Sequence, residues 1–254
     1  MTPITIPNQC EFPVSKSESW KMFNEISPRY DLLNRILSCG MDRRWRRQMA
    51  AFLNAEKNQT VLDLATGTAD VLLALLEAHA NVAKAVGLDL AEKMLEQGRL
   101  KIAQKKLEHK ITLLHGDINN LPFSDNSFDC VTIAFGIRNV EDPKKVLAQM
   151  LRVLRGGGRA LNRDGAGRAL ILEFSFSSAR PIRHLQLFYL RNVVPLLGFF
   201  FSGHNQAYRY LNQTIEKFPH GKDFCRIMEE VGFKRVVAHP LFLQTATIYQ
   251  GEKE

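Results

Sequence analysis

The sequence has few cysteines and no segment long and apolar enough to be read as a membrane span. The four cysteines, Cys10, Cys39, Cys130 and Cys225, are far apart and unpaired in spacing, so we expect neither a disulfide framework nor a metal site. The N-terminus lacks the basic stretch and apolar run of a secretion signal. The apolar run at 193–203 is too short to cross a bilayer. We therefore expect a reduced, cytoplasmic protein.

The stretch VLDLATGTAD (61–70) lacks the features of the common nucleotide loops. A phosphate loop carries a lysine after its last glycine, and a dinucleotide fingerprint carries three glycines. Here an apolar strand is followed by small residues at Ala65, Gly67 and Ala69, which let backbone amides approach a ligand closely. Because ligands of open parallel sheets bind at the carboxyl ends of strands, this turn is expected to hold a cofactor.

Acidic residues are outnumbered, and the chain carries a net charge of +8. Six arginines lie between residues 29 and 47, against two aspartates. Such an excess attracts nucleic acid, anionic lipid or acidic substrates, and charge alone does not choose among them. The basic segment has two interpretations: a solvated helix face, or a patch that faces phosphates or lipid headgroups.

From residue 60 onward, short apolar runs alternate with longer amphipathic segments, which is typical of repeated strand-helix units. Five runs are predicted as parallel strands buried on both faces, and two further strands follow the last helix. The predicted strands are 60–66, 83–90, 111–117, 128–136, 168–176, 233–242 and 244–252. Residues 1–55 are interpreted as a helical segment that forms part of a substrate cover. Residues 56–254 then form one α/β domain with a helical insertion at 181–221.

Carboxylates recur where these predicted strands end. Asp63 lies in the first strand, and Asp89 ends the second, where a carboxylate can accept both hydroxyls of a ribose. Asp117 follows the third strand and can accept a hydrogen bond from an adenine amino group, while the amide of Ile118 can donate to the ring. Asp89 alone is equally compatible with a helix cap. The first two strand ends fit NAD and S-adenosylmethionine alike.

The third strand end narrows this choice, because the run LPFSDNSFDCV (121–131) follows Asp117. This combination resembles the class I S-adenosylmethionine-dependent methyltransferases. Four further stretches are similar to the ubiquinone/menaquinone biosynthesis C-methyltransferase family, and the resemblance covers the chain from about residue 20 onward. They are YDLLNRILSCGMDRRWRR (30–47), FGIRNVEDPKKVLAQMLRVLRGGGR (135–159), ILEFS (171–175) and AYRYLNQTIEKFP (207–219).

The resemblance implies a seven-stranded, doubly wound, Rossmann-like sheet with an antiparallel final strand. It also implies S-adenosylmethionine as methyl donor and a polyprenylated quinol as acceptor. Carried over by position, Thr68, Asp89, Asp117 and Ile118 match donor-binding positions of the family, to which the residue pattern adds Asp63 and Gly67. The repeat of GRAL at 158–161 and 167–170 departs from the family pattern.

Methyl transfer to a quinol ring requires that the ring is oriented towards the methyl donor and that water is excluded. A phenolic hydroxyl has a pKa of about 10, so a general base, or a cation that stabilises the phenolate, accelerates the reaction. The candidates are Tyr30, Arg138 and Asn139, with His204 as a weaker base. Arg138 is a poor base, but it can stabilise a phenolate or orient a water molecule. For Tyr30 the alternative interpretation is a packed aromatic on the Trp20 helix face.

The remaining expectations concern partners. The basic N-terminal helices and the apolar insertion are expected to contact a membrane surface, where such a quinol resides. No nucleic acid is expected, because AFGIRN (134–139) stands where base methyltransferases carry an Asn/Asp-Pro-Pro-aromatic loop. The alternatives are a methyltransferase for another small molecule or for nucleic acid, and a non-catalytic cofactor-binding subunit. The sequence leaves open the oligomeric state and the choice between menaquinone and ubiquinone precursors.

Overall fold

The computed structural model describes residues 16–53, 58–78, 81–157, 166–196 and 205–254. The extra residues of the GRAL repeat and His204 lie outside this described part.

The centre of the fold is a seven-stranded sheet with the order β3-β2-β1-β4-β5-β7-β6. Strands β1 to β5 pair in parallel, β7 is antiparallel to β5, and β6 is antiparallel to β7. The predicted sheet with an antiparallel final strand is therefore confirmed. The strands are β1 Gln59–Leu64, β2 Val82–Asp89, β3 Ile111–His115, β4 Cys130–Ala134, β5 Arg168–Phe174, β6 Lys234–Leu241 and β7 Ala246–Glu252.

Among the α-helices whose bounds the structure gives, three precede the sheet and two belong to the predicted insertion. They are α1 Ser19–Ile26, α2 Tyr30–Leu37, α3 Met41–Met49, α4 Asp70–Glu77, α5 Glu92–Gln104, α6 Pro143–Val153, α7 Arg180–Phe188, α8 Asn205–Lys217 and α9 Lys222–Val231. A π-helical turn, Tyr189–Val193, prolongs α7.

The division of the chain at residue 55 into a cover and a catalytic domain stays a prediction.

Two hydrophobic clusters cover the two faces of the sheet. On one face, α6 and α9 pack Met150 and Phe224 against β1 and β4. On the other face, α3, α4 and α5 contribute Trp45, Leu72 and Leu95. Burial of each such side chain stabilises the fold by about 1.5–3 kcal/mol. The result is the three-layer arrangement expected of a sheet whose central strands are apolar on both sides.

A third, smaller cluster joins the N-terminal helices to the insertion. Phe176, Leu190, Val194 and Ile215 form it, and Met22 of α1 packs against it. The first helix therefore reaches the insertion above the carboxyl ends of the strands.

None of the helices in the described part of the chain has the length and apolar character needed to span a bilayer.

Candidate active site

The turn after β1 has an unusual backbone. Ala65, Gly67 and Ala69 have positive φ angles of 48°, 54° and 64°. The left-handed conformation costs a residue with a side chain on the order of 1–3 kcal/mol, and such strain clusters at ligand sites. The small residues foreseen in the sequence therefore serve a tight turn that directs the chain from β1 into α4.

Asp89 fastens this turn to the end of β2. Its Oδ2 accepts a hydrogen bond from the Gly67 amide and its Oδ1 accepts one from the Ala91 amide, both at 2.8 Å. Burial raises the pKa of Asp89, and these backbone donors oppose that rise. A carboxylate has about four acceptor positions, so two remain for the hydroxyls of a ribose. Asp89 thus joins the turn after β1 to the residue that precedes α5, and it also faces the cavity.

A cavity of about 350 Å³ opens beside this turn. Six of the nine candidate catalytic and cofactor-binding residues line it: Tyr30, Gly67, Asp89, Asp117, Ile118 and Asn139. Trp20 and Phe23 of α1 and Phe135 after β4 also line it, so one side is aromatic. The structure therefore joins the turn, the ends of β2 and β3, and the N-terminal helices around one space.

Asp63 does not line the cavity. Its side chain is 1% exposed, and its two oxygens accept hydrogen bonds from Thr66 Oγ1 at 2.7 Å and Thr132 Oγ1 at 2.5 Å. Burial raises the pKa of Asp63 to about 7. Asp63 is therefore placed under the turn as a support, out of reach of a cofactor in the cavity.

Thr68 also differs from its expected placement. Its hydroxyl donates to Asp31 Oδ1 at 2.8 Å and accepts from Lys101 Nζ at 2.9 Å. The side chain thus faces a cluster of charges on the far side of the turn. Only its main chain, next to Gly67, remains beside the cavity.

Arg138 is buried behind the cavity, not in its lining. Its Nη1 donates to Phe135 O at 2.5 Å and to Glu173 Oε1 at 2.9 Å, and its guanidinium lies 5.4 Å from the Phe174 ring centroid. Burial raises the pKa of Glu173, and the charge of Arg138 opposes that rise. The arginine is therefore one half of a buried ion pair.

Asn139 lines the cavity and has an unfilled hydrogen bond. Its Nδ2 donates to Phe135 O at 3.3 Å, so Arg138 and Asn139 share one carbonyl acceptor. Its Oδ1 is buried and has no partner among the described residues. Buried polar atoms are nearly always paired, so this oxygen is suited to a donor on a ligand.

Tyr30 satisfies both interpretations made from the sequence. Its ring packs edge-to-face on Phe23 with centroids 6.0 Å apart, and it also lines the cavity. Burial raises the pKa of its hydroxyl, and a side-chain hydrogen bond with Asn34 and the nearby charges of Arg46 and Arg138 oppose that rise. The tyrosine is therefore a packed aromatic that can donate a hydrogen bond to a ligand.

Lys16 was missed in the sequence although it lines the cavity. Its Nζ donates to Val140 O at 3.1 Å, and burial lowers its pKa. Because Lys16 lies one helical turn before Trp20, its spacing could have indicated that the two side chains share one helix face. Glu173 was also missed, because a single acid inside an apolar strand carries no pattern.

A family model covers nearly the whole sequence. Residues 13–253 match the ubiE/COQ5 methyltransferase family. The chain belongs to this family. Members of the ubiE/COQ5 family with curated names include the ubiquinone/menaquinone biosynthesis C-methyltransferase UbiE of Geobacter sulfurreducens, 42% identical over 91% of this chain and 87% of that protein. The demethylmenaquinone methyltransferase of Bacteroides fragilis is 38% identical over 92% of this chain and 91% of that protein.

Solved structures agree on the fold. A SAM-dependent methyltransferase of Thermotoga maritima, described as a possible histamine N-methyltransferase, superposes with a TM-score of 0.60 at 15% identity. The match covers 92% of this chain and all of that one. The resemblance drawn from the sequence motifs is thereby confirmed, both for the ubiE/COQ5 family and for the class I fold.

As a ubiE/COQ5 family member the protein is a methyltransferase, and S-adenosylmethionine is its cofactor. The cavity fits this group. Its volume of about 350 Å³ lies in the range of small-molecule sites, and carboxylates line it at the ends of β2 and β3. A Cβ on Gly136 would come within 2.7 Å of the Ala65 Cβ, so the two turns that flank the cavity already touch. Only small residues are compatible with this approach.

Proposed function

We propose that the protein transfers a methyl group from S-adenosylmethionine to a ring carbon of a polyprenylated quinol, with demethylmenaquinol as the first candidate. The observation that carries this proposal is that one cavity contains both the turn after β1 and an aromatic wall formed by Trp20, Phe23 and Phe135. A flat, apolar quinol ring suits such a wall. The names of the two curated relatives refer to the same chemistry.

For the donor, we infer that Gly67, Asp89, Asp117 and Ile118 contact S-adenosylmethionine directly. Asp89 receives the ribose hydroxyls, and Asp117, which is exposed to the cavity, receives the adenine amino group. Thr68 contributes through its main chain, because its hydroxyl is already bound to Asp31 and Lys101. Asp63 supports the turn from below.

The bound cofactor supplies a methyl group already activated on a sulfonium, so the protein must orient the acceptor, exclude water and handle one phenolic proton. Trp20, Phe23 and Phe135 exclude water from the cavity. The free Oδ1 of Asn139 accepts a hydrogen bond from a quinol hydroxyl and orients the ring. The hydroxyl of Tyr30 donates to the oxygen on which negative charge develops, and the one proton released as the methyl–carbon bond forms passes to solvent at the mouth of the cavity. Arg138 positions Asn139 through the carbonyl of Phe135 that both of them bind.

The deciding experiment is methyl transfer from labelled S-adenosylmethionine to chemically reduced demethylmenaquinol and, in parallel, to the reduced methoxy-benzoquinol precursor of ubiquinone. We expect product from at least one of them, and the ratio of the two rates identifies the acceptor. Asn139→Ala and Tyr30→Phe should lower kcat by about 100- to 1000-fold, the range for loss of one group that stabilises developing charge. Cofactor that binds without product from either quinol would exclude quinol methylation and would leave a methyltransferase with another acceptor.

We also propose that the protein docks on an anionic membrane surface through the outer side of α7. Leu185 and Phe188 are 68% and 59% exposed, and Gln186 between them donates to Leu243 O at 3.1 Å, beside the exposed Phe242. Arg180 and Arg183 flank this apolar surface and are exposed. Apolar side chains bordered by arginines are typical of interfacial helices.

Vesicle sedimentation tests this contact. The variant Leu185→Ser/Phe188→Ser should bind phosphatidylglycerol vesicles several-fold more weakly than the unaltered protein. Leu100→Ser is the control, because Leu100 is equally exposed, at 57%, on α5. Equal binding of all three proteins would contradict docking through α7.

A further inference from the structure

A second cleft lies on the other side of the turn after β1, and its lining is rich in cations. It has a volume of about 460 Å³, larger than the cofactor cavity, between α2 and α3 on one side and α4 and α5 on the other. Its charged lining consists of six cations and three carboxylates: Arg35, Arg43, Arg46, Arg47, Lys101, Lys105, Asp31, Asp70 and Glu77.

The carboxylates of the cleft are already engaged. Asp31 and Asp70 both bind Lys101, and the distance from Lys101 Nζ to Asp70 Oδ1 is 2.7 Å. Glu77 binds Lys105 at 2.8 Å and lies 3.5 Å from Arg47. Six cations against three carboxylates leave an excess of three positive charges, or two when Asp42, which binds Arg46 from behind, is included.

Two arginines of the lining form no salt bridge within the described residues, although the charge of Arg35 contributes to lowering the pKa of Asp70. Arg35 and Arg43 both face the cleft and form no ion pair there. The Nε of Arg35 is buried and, within the same part of the chain, has no hydrogen-bond partner. A buried donor without an acceptor is costly, on the order of 1–3 kcal/mol, unless a ligand or water fills it. The excess positive charge of the cleft is therefore accompanied by an unfilled donor on one of its lining arginines.

We propose that this cleft is a binding site for a phosphate-bearing anion, held chiefly by Arg35 and Arg43. Guanidinium groups bind phosphate oxygens with paired, charge-assisted hydrogen bonds. Arg46, which is 5% exposed and bound to Asp42, adds a fixed positive charge to the lining. The anion is either a free phosphate compound or the headgroup of an anionic lipid, which present the same chemistry.

The site is distinct from the cofactor cavity, although the two are neighbours. Thr68 separates them, with its hydroxyl on Asp31 and Lys101 of the cleft and its main chain next to Gly67 of the cavity. Neither Arg35 nor Arg43 lines the cofactor cavity. Their replacement is therefore expected to leave cofactor binding intact, which gives a check on folding.

The first arm of the test is calorimetric titration of the full chain with inorganic phosphate, with sodium chloride of equal ionic strength as reference. We expect saturable binding that weakens at least tenfold in Arg35→Gln/Arg43→Gln. The control Arg99→Gln/Arg226→Gln removes the same charge from exposed arginines outside the cleft and should bind as the unaltered protein does.

The second arm distinguishes the source of the anion. In the Leu185→Ser/Phe188→Ser background, phosphatidylglycerol vesicles are compared with phosphatidylcholine vesicles, with and without the Arg35→Gln/Arg43→Gln change. Saturable binding of free phosphate supports a phosphate compound. Binding only to phosphatidylglycerol, lost with the two arginines, supports a lipid headgroup. No binding in either arm, or equal binding when Arg35 and Arg43 are replaced, overturns the proposal. Neither outcome changes the result of the methyl-transfer assay, so this proposal and the proposed function are tested independently.

Discussion

At the scale of single residues, the polar side chains near the strand ends divide into those that face the cavity and those that hold it in shape. Asp89 and Asn139 belong to the first group. Asp63, Thr68 and Arg138 belong to the second, because none of them lines the cavity and each is bound to other protein groups. Successive side chains of a strand point to opposite faces, so proximity in sequence does not tell which residues meet a ligand.

Asp63 makes the stability of the fold depend on pH. Burial raises its pKa to about 7, against 3.8 for the free side chain. Over this interval the folded state keeps a proton that the unfolded state has released, so the free energy of unfolding falls as pH rises from about 4 to 7 and is level above 7. The shift corresponds to at most about 4 kcal/mol.

Urea titrations between about pH 4.5 and pH 8 measure this slope. Asp63→Asn should reduce it, because the amide does not titrate, while Asp89 and Glu173, whose pKa values burial also raises, still contribute. Asp223→Asn, at an exposed aspartate on α9, should leave it unchanged. An unaltered slope in Asp63→Asn would show that another group is responsible.

The buried pair of Arg138 and Glu173 should matter far more to stability than a surface pair. Glu173→Gln leaves the Arg138 guanidinium, 5% exposed, without its counter-charge, which costs about 3–5 kcal/mol. Glu230→Gln removes the partner of Lys144 in a pair whose side chains are more than half exposed, which costs about 0–1 kcal/mol. Urea denaturation of the two variants compares them directly, and equal losses would refute the assignment of a buried ion pair.

At the scale of elements, the cavity depends on the close approach of two turns, one after β1 and one after β4. Gly136 and Ala65 meet there, and a Cβ at position 136 would lie 2.7 Å from the Ala65 Cβ. Both atoms are fixed to the backbone, so no rotamer change can relieve the overlap. The two turns, and with them the strands that carry them, must move apart if position 136 gains a side chain.

Gly136→Ala should therefore weaken the affinity for S-adenosylmethionine about tenfold or more, since overpacking of this kind costs about 1–3 kcal/mol. Gly156→Ala is the matched control, because the nearest atom to a Cβ there is 3.6 Å away. Calorimetry of cofactor binding compares the two. Unchanged affinity in Gly136→Ala would mean that the turns separate without cost.

At the scale of the whole molecule, the cavity is lined by the strand ends of the sheet on one side and by the N-terminal helices on the other. Trp20 and Tyr30 come from α1 and α2, yet they line the same space as Asp89 of β2. Packing of Met22 on the cluster around Leu190 joins these helices to the insertion as well. The cofactor site is therefore made by three parts of the chain that are remote in sequence.

Cofactor binding should be visible in the fluorescence of Trp20. The chain has two tryptophans, of which Trp20 lines the cavity and Trp45 is 3% exposed in the core. S-adenosylmethionine should shift the emission, and Trp20→Phe should abolish the shift while calorimetry still detects binding. At 100 times its Kd the cofactor should raise the free energy of unfolding by about 2.7 kcal/mol. A shift that persists in Trp20→Phe would contradict the position of α1.

The sequence by itself determined the strand-helix alternation, the small-residue turn after β1 and the acids near the ends of β2 and β3. These features are local, because periodicity and turn chemistry are set by neighbouring residues. The family motifs supplied the antiparallel β7 and the candidates Tyr30 and Asn139.

Only the tertiary structure decided which side chains face the cavity. The Asp63 carboxylate is bound by Thr66 and by Thr132 of the neighbouring strand, while the Thr68 hydroxyl is bound by Asp31 and Lys101 from two other helices. It also decided that the basic N-terminal segment forms a cleft with Lys101 and Lys105 and is not simply a solvated helix face. The physical reason is the same in each case: the partners of a charged or hydroxyl group are chosen by packing between distant segments, which no local pattern encodes.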